Sequence, residues 1–362
     1  MTKKEIFGTR LKQARQKAGL SMEALCKKMN NEVSKQTISK YESGKVLAGS
    51  SILIKLAEAL NVDLEYFFRP FVFDLSSIKV SFRKKSNIGN KEIISLKIRI
   101  QEDVERFLSI EKLLGVETPH LSFSMPSKIN TETQMKSIAR QVREKWNLGC
   151  SPISCVKDLL MLHGIKVFEV EGPEGFDGIS GRANGNVCVI VINKSALSIE
   201  RIRFTLMHEL AHLIANSNFD DQLSNHEKEK LCHVFASEML LPASVLEFNF
   251  GNKSKISFPE LIKMQINFGI SIDAIMYSLK GIGVISDKRH RSYCISKNVS
   301  RDFKNMVETS RFEEPKSDMN YNMDVYYLMI YSALAQNLIS PVHAAELLRC
   351  NIYDLPNVKM SF

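Results

Sequence analysis

The spacing of apolar residues along the first part of the chain predicts a group of short helices. Over residues 5–66 apolar positions recur at helical intervals, and polar residues or glycines stand where helices begin and end. The expected helices are Glu5–Ala18, one capped by Ser21, one capped by Ser34 and ended by Gly44, Ser51–Leu60, and one beginning at Asp63. We place a five-helix domain at residues 1–68.

A single long helix, Asn90–Leu114, is predicted in the next segment. Its apolar positions are Val104, Leu108, Ile110 and Leu113. A short β-prone piece, residues 78–82, precedes it, and the prolines and hydroxyl residues of 115–130 favour an extended connection after it. We interpret residues 69–130 as a linker that contains this helix.

From residue 131 the pattern changes to helices around a small sheet. Helices are expected at 131–146, 153–163, 199–216 with Ser198 as cap, and 227–238 ended by Pro242, and strands at 165–170 and 187–192 with a turn-rich stretch between them. This order predicts an α+β domain at residues 131–250, followed by a helical region at 251–362 with helices at 257–282, 326–336 and 341–348. The fold class is therefore mainly α with a small β-sheet.

Composition and cysteine usage narrow the class of protein. Apolar residues make up 44% of the chain and charged residues 25%, as in soluble globular proteins. No apolar run approaches the roughly 20 residues of a membrane helix, and the N-terminus has no secretory signal. The seven cysteines form no CxxC pair, which argues against a disulfide framework. We expect a cytoplasmic protein without a membrane partner.

Positive charge is concentrated at the N-terminal end of the chain. Residues 1–70 hold 13 Lys and Arg against 7 Asp and Glu, which gives +6 of the total +9. Within this region the segment Ser34–Glu42 is typical of the recognition helix of a helix-turn-helix. Ile38 and Tyr41 should pack inward, and the candidate DNA contacts are Lys35, Gln36, Thr37, Ser39 and Lys40. Gln can pair with adenine and Lys with guanine, while hydroxyls reach bases or phosphates.

These helices resemble the Cro/C1-type, or XRE, helix-turn-helix family. The family pattern of Leu-Ser, then Ile-Ser-x-Tyr-Glu-x-Gly-Lys, stands here as Leu20-Ser21 and residues 38–45. The turn Asn30–Val33 is about two residues longer than usual in the family. The resemblance implies a double-stranded DNA operator as partner and a homodimer that contacts two half-sites. The alternative is a helical bundle used for dimerisation.

The predicted helix 199–216 carries the motif His208-Glu209-Leu210-Ala211-His212. Helix positions four apart point the same way, so His208 and His212 can bind one Zn²⁺. Glu209 neighbours the first histidine and can reach water at the metal, which suits a general base. A single histidine would more often be a partly buried core side chain, whereas this pair predicts a zinc cofactor.

A third ligand must come from another segment, and helix 227–238 is the candidate. Glu229, Cys232, His233 and Ala236 share one face, while Glu238 lies about half a turn around from Glu229. If the small side chains of Cys232 and Ala236 let the two helices approach, Glu229 meets the metal. His233 is the next candidate, and Glu238 follows.

Residues 135–245 resemble the ImmA/IrrE metallopeptidase family. The resemblance is carried by Arg-Phe-Thr-Leu at 203–206, Phe-Asp-Gly-Ile-Ser at 176–180, and Glu229-x-x-Cys-x-x-Phe-Ala-x-Glu-x-Leu-x-Pro. It implies His208, His212 and Glu229 as zinc ligands and Glu209 as base. The family usually has Ala-Asn or Ala-Asp where this chain has Cys232-His233, which bears on the surroundings of the metal and on activity.

The C-terminal region offers a second pair of short helices at 257–282. They could form another helix-turn-helix, but the exposed residues there would be Asp273, Tyr277 and Ser278, so packing or dimerisation is favoured.

The motifs together favour a DNA-binding transcriptional regulator whose zinc metalloendopeptidase domain cleaves a repressor or partner protein. This is the theme that the ImmA/IrrE resemblance implies. The alternative is an antitoxin or ligand-sensing transcription factor whose metallopeptidase-like domain binds a toxin or other partner without proteolysis. In a third interpretation, the HExxH pattern is fortuitous and the domain is a scaffold.

Overall fold

The computed structural model describes residues 2–69, 71, 89–116, 121, 123–172, 175–183, 187–195, 198–251, 253, 255–299, 301, 305, 312 and 325–355. The β-prone piece predicted at residues 78–82 lies outside the described residues. The N-terminal helices are α1 (Lys3–Lys17), α2 (Met22–Lys28), α3 (Lys35–Glu42) and α4 (Ser50–Leu60), followed by a 3₁₀ helix at Leu64–Phe68. Ser21 and Ser34 cap α2 and α3 as predicted, each accepting a hydrogen bond from a backbone amide of the first turn.

The five-helix domain is held together by close contact between α1 and α3. Gly8 makes this contact possible, because a Cβ there would lie 2.4 Å from the carbonyl oxygen of Tyr41. Arg15 of α1 then pairs with Glu42 of α3 through two donors at 2.6 and 2.8 Å. Asn30 and Asn31 in the longer turn adopt left-handed conformations, with φ of 52° and 57°. Ile38 and Tyr41 face inward as predicted, so the longer turn leaves the inward face of α3 in place.

Helix α5 (Asn90–Leu114) has the predicted bounds. It packs on α1 through polar residues, and its Leu96, Ile100 and Val104 join a core cluster with the sheet. Leu113 was predicted to be an apolar contact position but is 44% exposed, because the buried face passes through Phe107 and Ile110 instead. The helix is thus a packed element between the two domains.

The sheet has three strands, β1 (Lys166–Val170), β2 (Gly178–Ala183) and β3 (Val187–Asn193), in the order β1-β3-β2. β1 pairs with β3 in parallel and β2 pairs with β3 antiparallel. Strand β2 lies in the stretch that was described as turn-rich from the sequence, where no strand was predicted. One face of the sheet meets α5 and the other meets α8.

The helices of the second domain form one large core around the sheet. They are α6 (Glu132–Lys145), α7 (Val156–Leu162), α8 (Ile199–Ala215), α9 (Asn225–Leu240), α10 (Ala243–Phe250), α11 (Phe258–Phe268) and α12 (Ile272–Gly281). Helices α8 and α9 pack as a hairpin joined by a short connection, and α6 packs on α9. Leu261, Met264, Ile275 and Leu279 of α11 and α12 belong to the same core, which favours the packing interpretation of this helix pair.

The remaining described helices are α13 (Asp287–Val299), which the sequence pattern had not predicted, α14 (Val325–Ala335), α15 (Pro341–Leu348) and a 3₁₀ helix at Ile352–Asp354. Phe107 and Ile110 of α5 form a further core cluster with α14 and α15. The fold is mainly α with a small sheet, as predicted.

Among the described residues, we find no single helix that is both long and apolar enough to cross a membrane. One bent pair, Asn225–Leu240 with Ala243–Phe250, reaches the required length and composition only when taken together, with a bend of 64°.

Candidate metal centre and DNA-binding surface

Three candidate ligands converge between α8 and α9. His208 and His212 are one turn apart on α8, and Glu229 faces them from the first half of α9. The carboxylate oxygens of Glu229 lie 3.0 Å from Nε2 of His208 and 3.3 Å from Nε2 of His212, and the two Nε2 atoms are 3.2 Å apart. The structure therefore brings together the two histidines and the glutamate that the sequence favoured.

The spacing and chemistry of this group fit a zinc ion. Ligand atoms about 2.0–2.1 Å from a tetrahedral zinc are separated from one another by about 3.3 Å. The distances between the three ligand atoms, 3.0 to 3.3 Å, are close to that value. Two imidazoles and one carboxylate are also the ligand types that leave a fourth position open in catalytic zinc sites.

The small side chain of Cys232 lets α9 approach α8 and also contacts a ligand. Its Sγ lies 3.6 Å from Nδ1 of His212. The thiol therefore contacts one ring nitrogen of His212, while the other, Nε2, faces Glu229. Burial would lower the pKa of His212, but the contacts with Cys232 and Glu229 outweigh burial and raise this pKa to about 11. Hydrogen bonds from both histidines hold the pKa of Glu229 well below its usual range. These contacts favour a protonated imidazole at His212 beside an ionised carboxylate at Glu229.

The candidate base Glu209 is buried beside the group, between α8 and strand β2. Ser180 of β2 donates a hydrogen bond of 2.7 Å to Oε2 of Glu209, which leaves the other carboxylate oxygen for a second partner. Gly178 allows this approach, since a Cβ there would lie 2.8 Å from Cγ2 of Thr205 and 3.5 Å from Cγ of Glu209. The contribution of Ser180 was not predicted, although its motif was noted; the missing step was that its segment forms a strand.

The two alternative ligands lie at different places. Glu238 is buried on the far side of α9, where it pairs with Arg140 at 2.9 Å and accepts a hydrogen bond from the amide of Ala243. His233 remains near the group, with its ring centroid 4.7 Å from that of His208.

The candidate DNA contacts lie on one exposed face of α3. Lys35, Gln36, Ser39 and Lys40 are exposed, while Thr37 is half-buried and its backbone amide donates to the hydroxyl of Ser34. Lys35 also pairs with Glu23 of α2 at 2.5 Å. Because both side chains are exposed, a DNA phosphate could replace Glu23 as the partner of Lys35. The part of this domain that sequence reasoning missed is the Arg15–Glu42 pair, which positions α3 on α1.

Comparison with known families agrees with both motif resemblances. Residues 11–67 match the family model described as a helix-turn-helix, and residues 162–280 match the model described as an IrrE N-terminal-like domain. The IrrE-like family is a zinc-metallopeptidase-like domain. No curated protein matches the chain. Together the two domains indicate a DNA-binding regulator with an ImmA/IrrE-like domain.

Proposed function

We propose that this protein binds an operator as a homodimer and that its IrrE-like domain is a zinc metalloendopeptidase that cleaves a repressor or partner protein. The observation that carries the peptidase part is the convergence of His208, His212 and Glu229 at 3.0 to 3.3 Å beside the carboxylate of Glu209. The operator part rests on the exposed polar face of α3 within the matched helix-turn-helix domain.

Each residue of the centre has a distinct role in this proposal. His208, His212 and Glu229 would hold the zinc ion, which when bound polarises a peptide carbonyl and makes water more acidic. Glu209 accepts a proton from the attacking water and passes it to the leaving amine. Ser180 donates a hydrogen bond to one oxygen of Glu209 and so holds the carboxylate in place for this proton transfer.

Two substitutions test the proposal. Glu209→Gln should keep zinc, because the ligands are unchanged. It should abolish cleavage of the partner, because an amide side chain does not accept a proton near neutral pH. His208→Ala should lose both zinc and cleavage. Metal content of the purified full-length protein, and the fate of co-expressed neighbouring gene products on gels and in mass spectrometry, are the measurements.

The two variants separate the metal centre from the chemistry. Retention of zinc by His208→Ala would contradict the proposed metal centre. Unchanged cleavage by Glu209→Gln would contradict the role of Glu209 as the base.

A second function is favoured by the mode of attachment of the DNA-binding domain. Ion pairs fix this domain on α5, which also packs on the sheet of the IrrE-like domain, so the metal centre is attached to a domain that binds DNA. In that case the protein is an antitoxin or sensing transcription factor that binds its partner without cutting it. Regulation that survives Glu209→Gln but is lost on changing Gln36 and Lys40 would favour this second function.

A further inference from the structure

Helix α9 presents a second candidate ligand on the same side as Glu229. His233 follows Glu229 by four residues, the spacing that also separates His208 from His212 on α8. Glu229 contacts His208 and His212, and His233 contacts Phe204 and His208, so the two helices run antiparallel past each other. Each helix of the hairpin therefore contributes a pair of ligand-type side chains to one place.

The ring of His233 lies about as far from the ring of His208 as the ring of His212 does. Its centroid is 4.7 Å from that of His208, and the His208–His212 centroids are 4.8 Å apart. The latter pair already brings two Nε2 atoms to within 3.2 Å. Ring to ring, His233 is thus as close to His208 as the second predicted ligand is. Among the described residues, the ligand atoms that lie within 4.8 Å of one another are those of His208, His212 and Glu229, so ligation by His233 requires a change of its side-chain torsions.

The candidate ligands differ in how far they are exposed to solvent. The side chains of His208 and His212 are 11% and 18% exposed, that of Glu229 is 45% exposed, and His233 is exposed. Water or a substrate would therefore reach the group on the side where α9 contributes Glu229 and His233.

We propose that His233 is a fourth protein ligand of the metal, which completes a set of three imidazoles and one carboxylate. This inference rests on the proposed metal centre and extends it.

A fourth protein ligand has a functional consequence. Zinc sites closed by four protein side chains are structural, while catalytic sites keep one position for water or substrate. Because His233 is exposed and its imidazole, unlike the carboxylate of Glu229, carries no negative charge, it is the ligand that a peptide can displace. The centre then retains its metal firmly at rest, and hydrolysis requires that the partner protein move the His233 side chain aside.

The test uses the metal alone as probe on the full-length protein. Zinc affinity is measured by competition with a chromophoric chelator, and Co²⁺ is substituted to report the ligand set through its visible absorption. His233→Asn should weaken zinc binding at least about tenfold. This is the smallest loss typical of removing a side chain that only hydrogen-bonds to a metal ligand, and removal of a ligand should cost no less. The Co²⁺ spectrum should change as water replaces a nitrogen donor, and His233→Asp should restore much of the affinity with an oxygen donor.

The matched control is His226→Asn, an exposed histidine on the first turn of the same helix. It should leave zinc affinity and the Co²⁺ spectrum unchanged. Because both histidines are exposed, the variants should fold, which thermal unfolding of the metal-free proteins checks.

Two outcomes would overturn the proposal. One is equal zinc affinity in His233→Asn and the unchanged protein. The other is weaker binding with an unaltered Co²⁺ spectrum, which would make His233 a neighbour that supports His208 without touching the metal. Neither outcome affects the proposed centre, which fails if zinc survives in the double variant His208→Ala, His212→Ala, where Glu229 and His233 are the proposed ligands that remain.

Discussion

Arg203 shows how one buried residue can connect segments that are distant in sequence. It is fully buried on α8, and its guanidinium donates to the carbonyls of Ile153, Ser154, Phe268 and Gly269 at 2.5 to 3.4 Å. Gly269 adopts φ of 60° and leaves room for this group, since a Cβ there would lie 2.4 Å from Nε. The Arg-Phe-Thr-Leu motif before the histidine pair thus begins with a structural residue.

Arg203→Met should lower the free energy of unfolding by about 3 kcal/mol or more, because several buried carbonyls lose their donor. Urea unfolding followed by circular dichroism measures the change. The matched control is Arg201→Met on the same helix, where the partly exposed pair with Asp177 at 2.9 Å should contribute less than about 1 kcal/mol. Equal losses in the two variants would contradict the structural role of Arg203.

At the scale of elements, helices were predictable where the sequence carries their own end signals. Ser21, Ser34 and Ser198 each cap the helix that the apolar spacing predicts, and these causes are local. Strand β2 was missed because it carries two glycines and a single large apolar residue, Ile179. Its existence depends on pairing with β3 and on packing against α5 and α8, which no local pattern encodes.

The candidate ligands show the same division between local and tertiary causes. The helical spacing was sufficient to group His208 with His212, and Glu229 with His233, and to turn Glu238 away. Which residues of α9 meet those of α8 depends on the register of the hairpin. The sequence indicated this register only indirectly, because the small side chains of Cys232 and Ala236 allow the two helices to approach each other. Both side chains are fully buried in the structure.

Helix α3 allows a prediction about DNA binding that belongs to the element as a whole. Lys40→Ala should reduce the slope of log affinity against log salt by about 0.9 without changing sequence preference, if Lys40 contacts one phosphate. Gln36→Ala should cost about 1–3 kcal/mol on the operator and little on unrelated DNA, if Gln36 contacts a base. Fluorescence anisotropy over a range of salt concentrations measures both effects.

The control for this prediction is Lys55→Ala on α4, whose side chain pairs with Glu32. This variant should behave as the unchanged protein. If Gln36→Ala weakened operator and unrelated DNA equally, a base contact by Gln36 would be excluded.

At the scale of the whole molecule, α5 joins the DNA-binding domain to the sheet that supports Glu209. Toward α1 it presents Glu102 and Glu105, which pair with Lys17 at 2.6 Å and Arg10 at 2.7 Å. Tyr66 also donates to Glu102, at 3.0 Å. Burial raises the pKa of Glu105, and Arg10 opposes that rise. The opposite face of α5 is apolar, so the helix is anchored on the sheet and attached to the DNA-binding domain by charges.

An interface that depends on buried charges should release the DNA-binding domain when one partner is removed. Glu102→Ala leaves Lys17 and the hydroxyl of Tyr66 without their acceptor, which should weaken docking by about 3 kcal/mol. We expect a larger radius of gyration in small-angle scattering and two separated transitions in calorimetry. Glu346→Ala breaks the half-exposed contact of 3.7 Å between α15 and Arg69, the residue that directly follows the DNA-binding domain, and should change neither measurement. Unchanged scattering for Glu102→Ala would mean that apolar packing, not the charges on α5, holds the DNA-binding domain in place.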